Sequence, residues 1–122
     1  MIRELTTEEF KEEIYDYDKS SEWNYKGNTP IILEFMASWC SPCKQITPIL
    51  EELSVEYEGK IDIFKINVEE AHEVANTFGI QSIPAILFVP VKEKPQMSLG
   101  ALPKEMFVKG IEEFLKVKKN DN

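Results

Sequence analysis

The sequence predicts an α/β fold: a central mixed β-sheet flanked by helices on both faces, in the order αβαβαββα. Three observations carry this. Apolar runs of strand length alternate with segments of helical periodicity along most of the chain. Ile31 to Ala37 reads Ile-Ile-Leu-Glu-Phe-Met-Ala, the nearly unbroken apolar pattern of a strand buried on both faces. Two late strands are joined through Pro90, Glu93, Lys94 and Pro95, a hairpin connection that makes them antiparallel.

The elements follow in order. Thr6-Thr7-Glu8-Glu9 opens the first helix: Thr6 caps it, Glu9 closes a capping box, and Leu5 and Phe10 form the flanking staple. Phe10, Ile14 and Tyr17 recur at helical spacing. Asp18 to Pro30 is polar and rich in turn residues, a long loop anchored by Trp23. In the strand that follows, Glu34 is the anomaly. Pro42 suits the first turn of a helix. Ile46, Ile49, Leu50, Leu53 and Tyr57 continue that helix to Gly59, with a kink expected at Pro48. Ile61 to Val68 is a strand, and Glu70 to Phe78 is a short helix ended by Gly79. Gln81 to Pro84 turns into strand Ala85–Val89, and a further strand lies around Met97–Leu99. Pro103 to Val117 is an amphipathic helix with Phe107, Ile111, Phe114 and Leu115 on one face.

At 122 residues the chain is one domain, 1–122, because two halves would each be too small to bury a core unaided. No apolar run approaches the roughly 20 residues of a membrane span, and Met1–Phe10, which carries Arg3, Glu4, Glu8 and Glu9, is not expected to act as a signal peptide. Acidic residues outnumber basic ones 22 to 14, for a net charge of −8. Phosphate backbones and anionic membranes repel such a surface, so neither nucleic acid nor membrane is an expected partner. The chain has two cysteines, Cys40 and Cys43, and one histidine, His72. A structural zinc takes four ligands, so no metal site is expected. The cysteines are also too close to staple a fold, since the loop they close is tiny. A local dithiol remains, and that is a chemical feature.

Cys40-Ser41-Pro42-Cys43 sits where a buried strand ends and a helix begins. The thiolate is the reactive form of cysteine. Unpaired N–H groups and the positive end of the dipole at a helix N-terminus stabilise it. In such motifs the first thiol falls from about 8.5 to roughly 7 or below. The second, a turn further in, is spaced to attack a mixed disulfide formed by the first. His72, beside Glu73 in an acidic helix, reads as a surface residue.

Trp39-Cys40-Ser41-Pro42-Cys43-Lys44 resembles the active-site signature of the thioredoxin family, and the resemblance runs from about Leu5 to Leu115. Phe35, Ala37 and Pro48 fall at the family's positions. The resemblance implies a thioredoxin fold and a monomeric reductase of protein disulfides without a bound cofactor. Its electrons would come from NADPH through a flavin-containing thioredoxin reductase. Residue by residue, it puts Glu34 in the place of the family's buried acid and Lys65 in that of its lysine partner. Ile83-Pro84 matches the cis-proline dipeptide that faces the dithiol, and Gly100-Ala101 the loop that completes the substrate groove. Trp39, Ser41 and Pro42 complete the expected substrate surface. The chain departs from the pattern in four ways: Ser41 for glycine, Glu34 for the commoner aspartate, Pro103 for a capping serine, and longer connections at Asp18–Pro30 and Pro90–Pro95.

The expected mechanism has Cys40 attack from an exposed helical turn while Cys43, pointing inward, resolves the mixed disulfide. Glu34, its carboxyl raised by burial and partly opposed by Lys65, accepts the proton of Cys43. Its extra methylene leaves a second course, in which it bends to solvent. Lys65 is either Glu34's partner or a snorkelling edge lysine. The Ser41 hydroxyl bonds a thiolate or faces water, and Trp39 is a lid over the dithiol or simple surface packing. The rival functions are a thiol oxidase or disulfide isomerase, which favours histidine between the cysteines, and a non-catalytic binding subunit. Met1 without a leader points to the cytoplasm, with a periplasmic or secreted form whose leader was removed as the alternative.

Overall fold

The structure is a computed structural model and describes residues 2–121. In chain order the elements are β1 (Arg3–Glu4), α1 (Thr7–Glu13), β2 (Ile31–Met36), α2 (Ser41–Glu56), β3 (Asp62–Asn67), α3 (His72–Thr77), β4 (Ala85–Val89), β5 (Gln96–Leu99) and α4 (Lys104–Lys109). The strands form one five-stranded sheet in the order β1-β3-β2-β4-β5. β1 and β2 run parallel to β3, whereas β4 is antiparallel to β2 and β5. The sheet is mixed, as the sequence predicts.

The expected order needs one correction at its start, since β1 precedes the first helix. Two residues carry no strand periodicity; β1 exists because Arg3 and Glu4 pair with Phe64 and Lys65 of β3. The second correction concerns the last helix. α4 is regular only to Lys109, and a π-helical turn occupies Gly110–Phe114. At Gly110 a Cβ would lie 2.6 Å from Cε2 of Phe88, so the backbone runs close to that ring and a larger residue would require the ring to shift. Such π-helical turns are short interruptions within an otherwise α-helical segment. The chain then leaves the helix at Lys116, which has φ of 61°.

Other local expectations match the structure. Thr6 accepts from the Glu9 N–H at 3.1 Å, and the Glu9 carboxylate accepts from the Thr6 N–H at 2.9 Å, a complete capping box. α2 contains Pro48 but ends at Glu56, short of the expected Gly59. In the 18–30 loop Trp23 packs tilted against Tyr15, ring centroids 4.9 Å apart, and reaches Phe78 edge-on, which anchors the loop to the core. Lys11 adds ion pairs to Asp18 and Glu73.

Helices cover both faces. Leu33 and Phe35 of β2 turn towards α1 and α3, into a cluster with Phe10, Ile14, Val74 and Leu87. Ile32 turns towards α2 and α4, with Ile46, Leu50, Leu53, Ile86, Phe107 and Ile111. Strand alternation assigns Glu34 to this second face.

Candidate active site

The site gathers at the C-terminal end of β2. Phe35 pairs with Ala85, and Ala85 with Leu99. The chain leaving β2, the turn entering β4 and the loop leaving β5 therefore share one edge. Cys40 is the N-cap of α2, with Pro42 in the first turn. It is joined to Cys43 in a disulfide with Cα atoms 5.3 Å apart, and the Cys43 N–H donates to Cys40 Sγ at 3.2 Å. One sulfur thus takes a backbone donor at the positive end of a helix, which favours a thiolate there.

Both cysteines are 3% exposed, which corrects the expected contrast between an open Cys40 and a shielded Cys43. The Cys40 sulfur is tucked onto the first turn of α2, bound to its partner and under the Cys43 N–H. The asymmetry lies in hydrogen bonding. Ser41 and Pro42 are exposed between them. Trp39, the residue before Cys40, is 63% exposed.

The neighbouring turns are arranged around this edge. The Ile83–Pro84 bond is cis, with Pro84 buried. The Gly100 N–H donates to the Pro84 carbonyl at 2.8 Å, which ties the two loops together. Gly100 adopts φ of 91°, a conformation open to glycine at little cost. Ala101 is exposed beside it. Sequence reasoning passed over Leu99, 65% exposed on the same rim; an apolar residue in a strand gives no sign that it faces water.

Glu34 is 3% exposed, and its Oε2 is buried without a hydrogen-bond partner. Burial pushes its carboxyl up to about 7, and the positive charge of Lys65 opposes this in part. The side chain stays inside, so its extra methylene does not carry it to solvent. Lys65 stands opposite Glu34 in the β2–β3 register, half-buried, and acts on it by charge without satisfying Oε2. His72 lies exposed on α3, its Nδ1 3.4 Å from Asn76 Nδ2 in the same helix. Among the described residues no three His, Cys, Asp or Glu side chains converge as metal ligands.

A buried strand leads to a disulfide at a helix N-terminus, with a cis-proline turn at the same end of the sheet and a buried acid in that strand. The thioredoxin family profile matches residues 1–113. The chain belongs to the thioredoxin family. It is 40% identical to a thioredoxin of Borreliella burgdorferi over 114 residues, covering 93% of this chain and 97% of that protein. It is 34% identical to thioredoxin 1 of a Nostoc species over 112 residues, covering 92% and 95% of the two chains. A chloroplastic M-type thioredoxin of Spinacia oleracea is 39% identical over 105 residues, 84% of this chain and 58% of the plant protein. As a thioredoxin, the chain is a thiol–disulfide oxidoreductase that reduces protein disulfides through Cys40 and Cys43. Thioredoxins bind no cofactor themselves. Their partners are disulfide-bearing proteins and a reductase.

Proposed function

We propose that Cys40 is the attacking sulfur, Cys43 the resolving sulfur and Glu34 the acceptor of the Cys43 proton. The observation that carries these roles is the Cys43 N–H donated to Cys40 Sγ at the start of α2. In the reduced protein that donor favours the Cys40 thiolate. The thiolate attacks a substrate disulfide; an S–S bond forms to Cys40 and the substrate's own S–S bond breaks, releasing one substrate thiolate. Cys43 then gives its proton to Glu34, through a water, and attacks Cys40. The second substrate thiolate leaves, two electrons have passed to the substrate, and the Cys40–Cys43 disulfide of this structure is formed. A carboxylate that titrates near neutrality suits this task better than one near the ordinary 4.3 or so.

Trp39, Ser41, Pro42, Ile83, Pro84, Gly100 and Ala101 form the substrate surface in this reading. Ile83 and Pro84 present backbone to an extended substrate segment, which pairs there as an added strand. The uncharged Ser41-Pro42 spacer brings no cation to stabilise the dithiol form, which favours a reductant over an oxidase. The two electrons are returned by a flavin-containing, NADPH-dependent thioredoxin reductase. The residues of this reading all belong to one chain, and we take the working unit as a monomer. A reductant of this kind works where its electron supply keeps thiols reduced, which fits the cytoplasm.

Brief iodoacetamide treatment of the reduced protein, followed by mass spectrometry, tests the roles. Label should fall on Cys40, and label mainly on Cys43 reverses the assignment. In cell extract Cys43→Ser should accumulate mixed disulfides with protein partners, whereas Cys40→Ser should reduce insulin no faster than buffer.

A further inference from the structure

One row of side chains crosses the whole sheet on the face covered by α2. Glu4 of β1 pairs with Lys65 of β3, Lys65 with Glu34 of β2, Glu34 with Ile86 of β4, and Ile86 with Ser98 of β5. Residues in register on neighbouring strands point to the same face, with strands about 4.8 Å apart. The row therefore reads carboxyl, ammonium, carboxyl, then apolar and hydroxyl. Lys65 has an acid on each side. One, Glu34, is buried; the other, Glu4, lies exposed at the open edge of the sheet.

We propose that Glu4 is a positioning residue for the disulfide exchange: it competes with Glu34 for the Lys65 ammonium and so sets how strongly Glu34 is neutralised. The inference rests on the reading of Glu34 as the proton acceptor of Cys43. Its geometric support is the missing contact. Lys65 stands directly opposite Glu34, yet Oε2 of Glu34 has no partner. A lysine held fully by Glu34 would lock that carboxylate in its charged form and make it a poor base. A second acid on the far side, wetter and easier to reach, draws the ammonium towards solvent.

The groups that bear on this row are few. Lys65 is the charge acting on Glu34. Glu4 feels Lys65, which lowers it, and Glu70, whose carboxyl is hydrogen-bonded to it and raises it; the net direction is upward, led by burial. β4 and β5 contribute Ile86 and Ser98, and α2 turns Cys43, Ile46 and Leu50 inward.

The test is a titration of Glu34 in the reduced full chain by carbon NMR of labelled glutamate carboxyls. Wild type, Glu4→Gln, Lys65→Met and the double variant are compared, each with the pH profile of the resolution step. Glu4→Gln should let Lys65 swing inward. The Glu34 midpoint should then fall by about half a pH unit, the size a partly exposed ion pair supports. In the Lys65→Met background Glu4→Gln should leave the midpoint where it is. An unmoved midpoint in Glu4→Gln, or an equal fall with and without Lys65, overturns the competition. If the midpoint stays while Glu34→Gln still abolishes the pH dependence of resolution, Glu4 is removed and the acceptor reading stands. If the midpoint falls as expected while the resolution profile does not move, the competition is real and the acceptor reading is the one that fails.

Discussion

The two faces of the sheet grow from the same strands and are packed to different ends. On the α1 and α3 face the core is aromatic: Phe10, Phe35 and Phe78 meet at ring separations of 5.6 and 5.7 Å, and Tyr15 and Trp23 extend the cluster outward. On the α2 and α4 face it is mostly aliphatic and holds Glu34 as well. β2 shows the contrast between adjacent residues, Glu34 to one side and Phe35 to the other. Among the described residues each face has one buried side-chain polar atom without a partner, Trp23 Nε1 on the first and Glu34 Oε2 on the second. One of them titrates and the other does not. Burial costs both, but only the carboxyl can answer with a change of charge, and the dithiol sits at the end of its strand.

If the aromatic face is structural and the other chemical, damage to the first should cost stability and spare turnover. Phe10 is fully buried and touches Tyr17 and Phe78. Phe10→Ala should lower unfolding free energy by about 3–5 kcal/mol through lost transfer and a cavity. The rate of insulin reduction per folded molecule should stay at the wild-type value. Urea unfolding together with activity at a temperature where both proteins are folded checks this. A fall in turnover comparable to the loss of stability would show that the two faces are coupled.

The division between faces was largely legible in the sequence, because period-2 alternation assigns strand residues to faces before any contact is known. The run from Ile31 to Ala37 exposed Glu34 as an intruder, and the spacing of Cys40 and Cys43 after that run placed the dithiol at a helix start. What stayed hidden depends on contacts distant in sequence. β1 is too short to show a period and is a strand only through its pairing with β3. Without it, Glu4 has no visible neighbour in Lys65. The close approach of Gly110 to the ring of Phe88 joins residues more than twenty positions apart. The burial of Cys40 follows from how the first turn of α2 folds over its own sulfur, which no residue pattern records.

A smaller effect, with a pH signature, separates the faces more sharply. The folded Glu34 carboxyl is raised from 4.5 to about 7. Below the lower value it is protonated in folded and unfolded chains alike and adds no pH dependence. As pH rises through that window the unfolded chain releases its proton first, so stability falls until about pH 7 and then levels. The loss corresponds to about 3 kcal/mol. Glu34→Leu keeps the volume and removes the titration. Its stability relative to wild type should therefore be greater at pH 8 than at pH 4 by about that amount, measured by urea unfolding of the oxidised protein. An equal difference at both pH values would mean that Glu34 does not titrate in this window.

The smallest effect is expected at the other orphaned atom. Trp23 packs on Tyr15 and Phe78, and its indole N–H is buried with nothing to accept it. Trp23→Phe removes that donor and also some of the apolar area that anchors the 18–30 loop. An unpaired buried donor costs about 1–3 kcal/mol, and the larger ring of tryptophan contributes about as much through area. The two should nearly offset, leaving stability within about 1 kcal/mol of wild type. The sign of the residual matters less than its pH dependence. Indole does not ionise, so the difference between Trp23→Phe and wild type should be the same at pH 4 and pH 8, where Glu34→Leu changes most. Urea unfolding at the two pH values decides it. A residual that moves with pH would couple Trp23 to a titrating group, candidates being the Asp18 and Glu73 carboxylates paired with Lys11, and would break the division of labour between the faces.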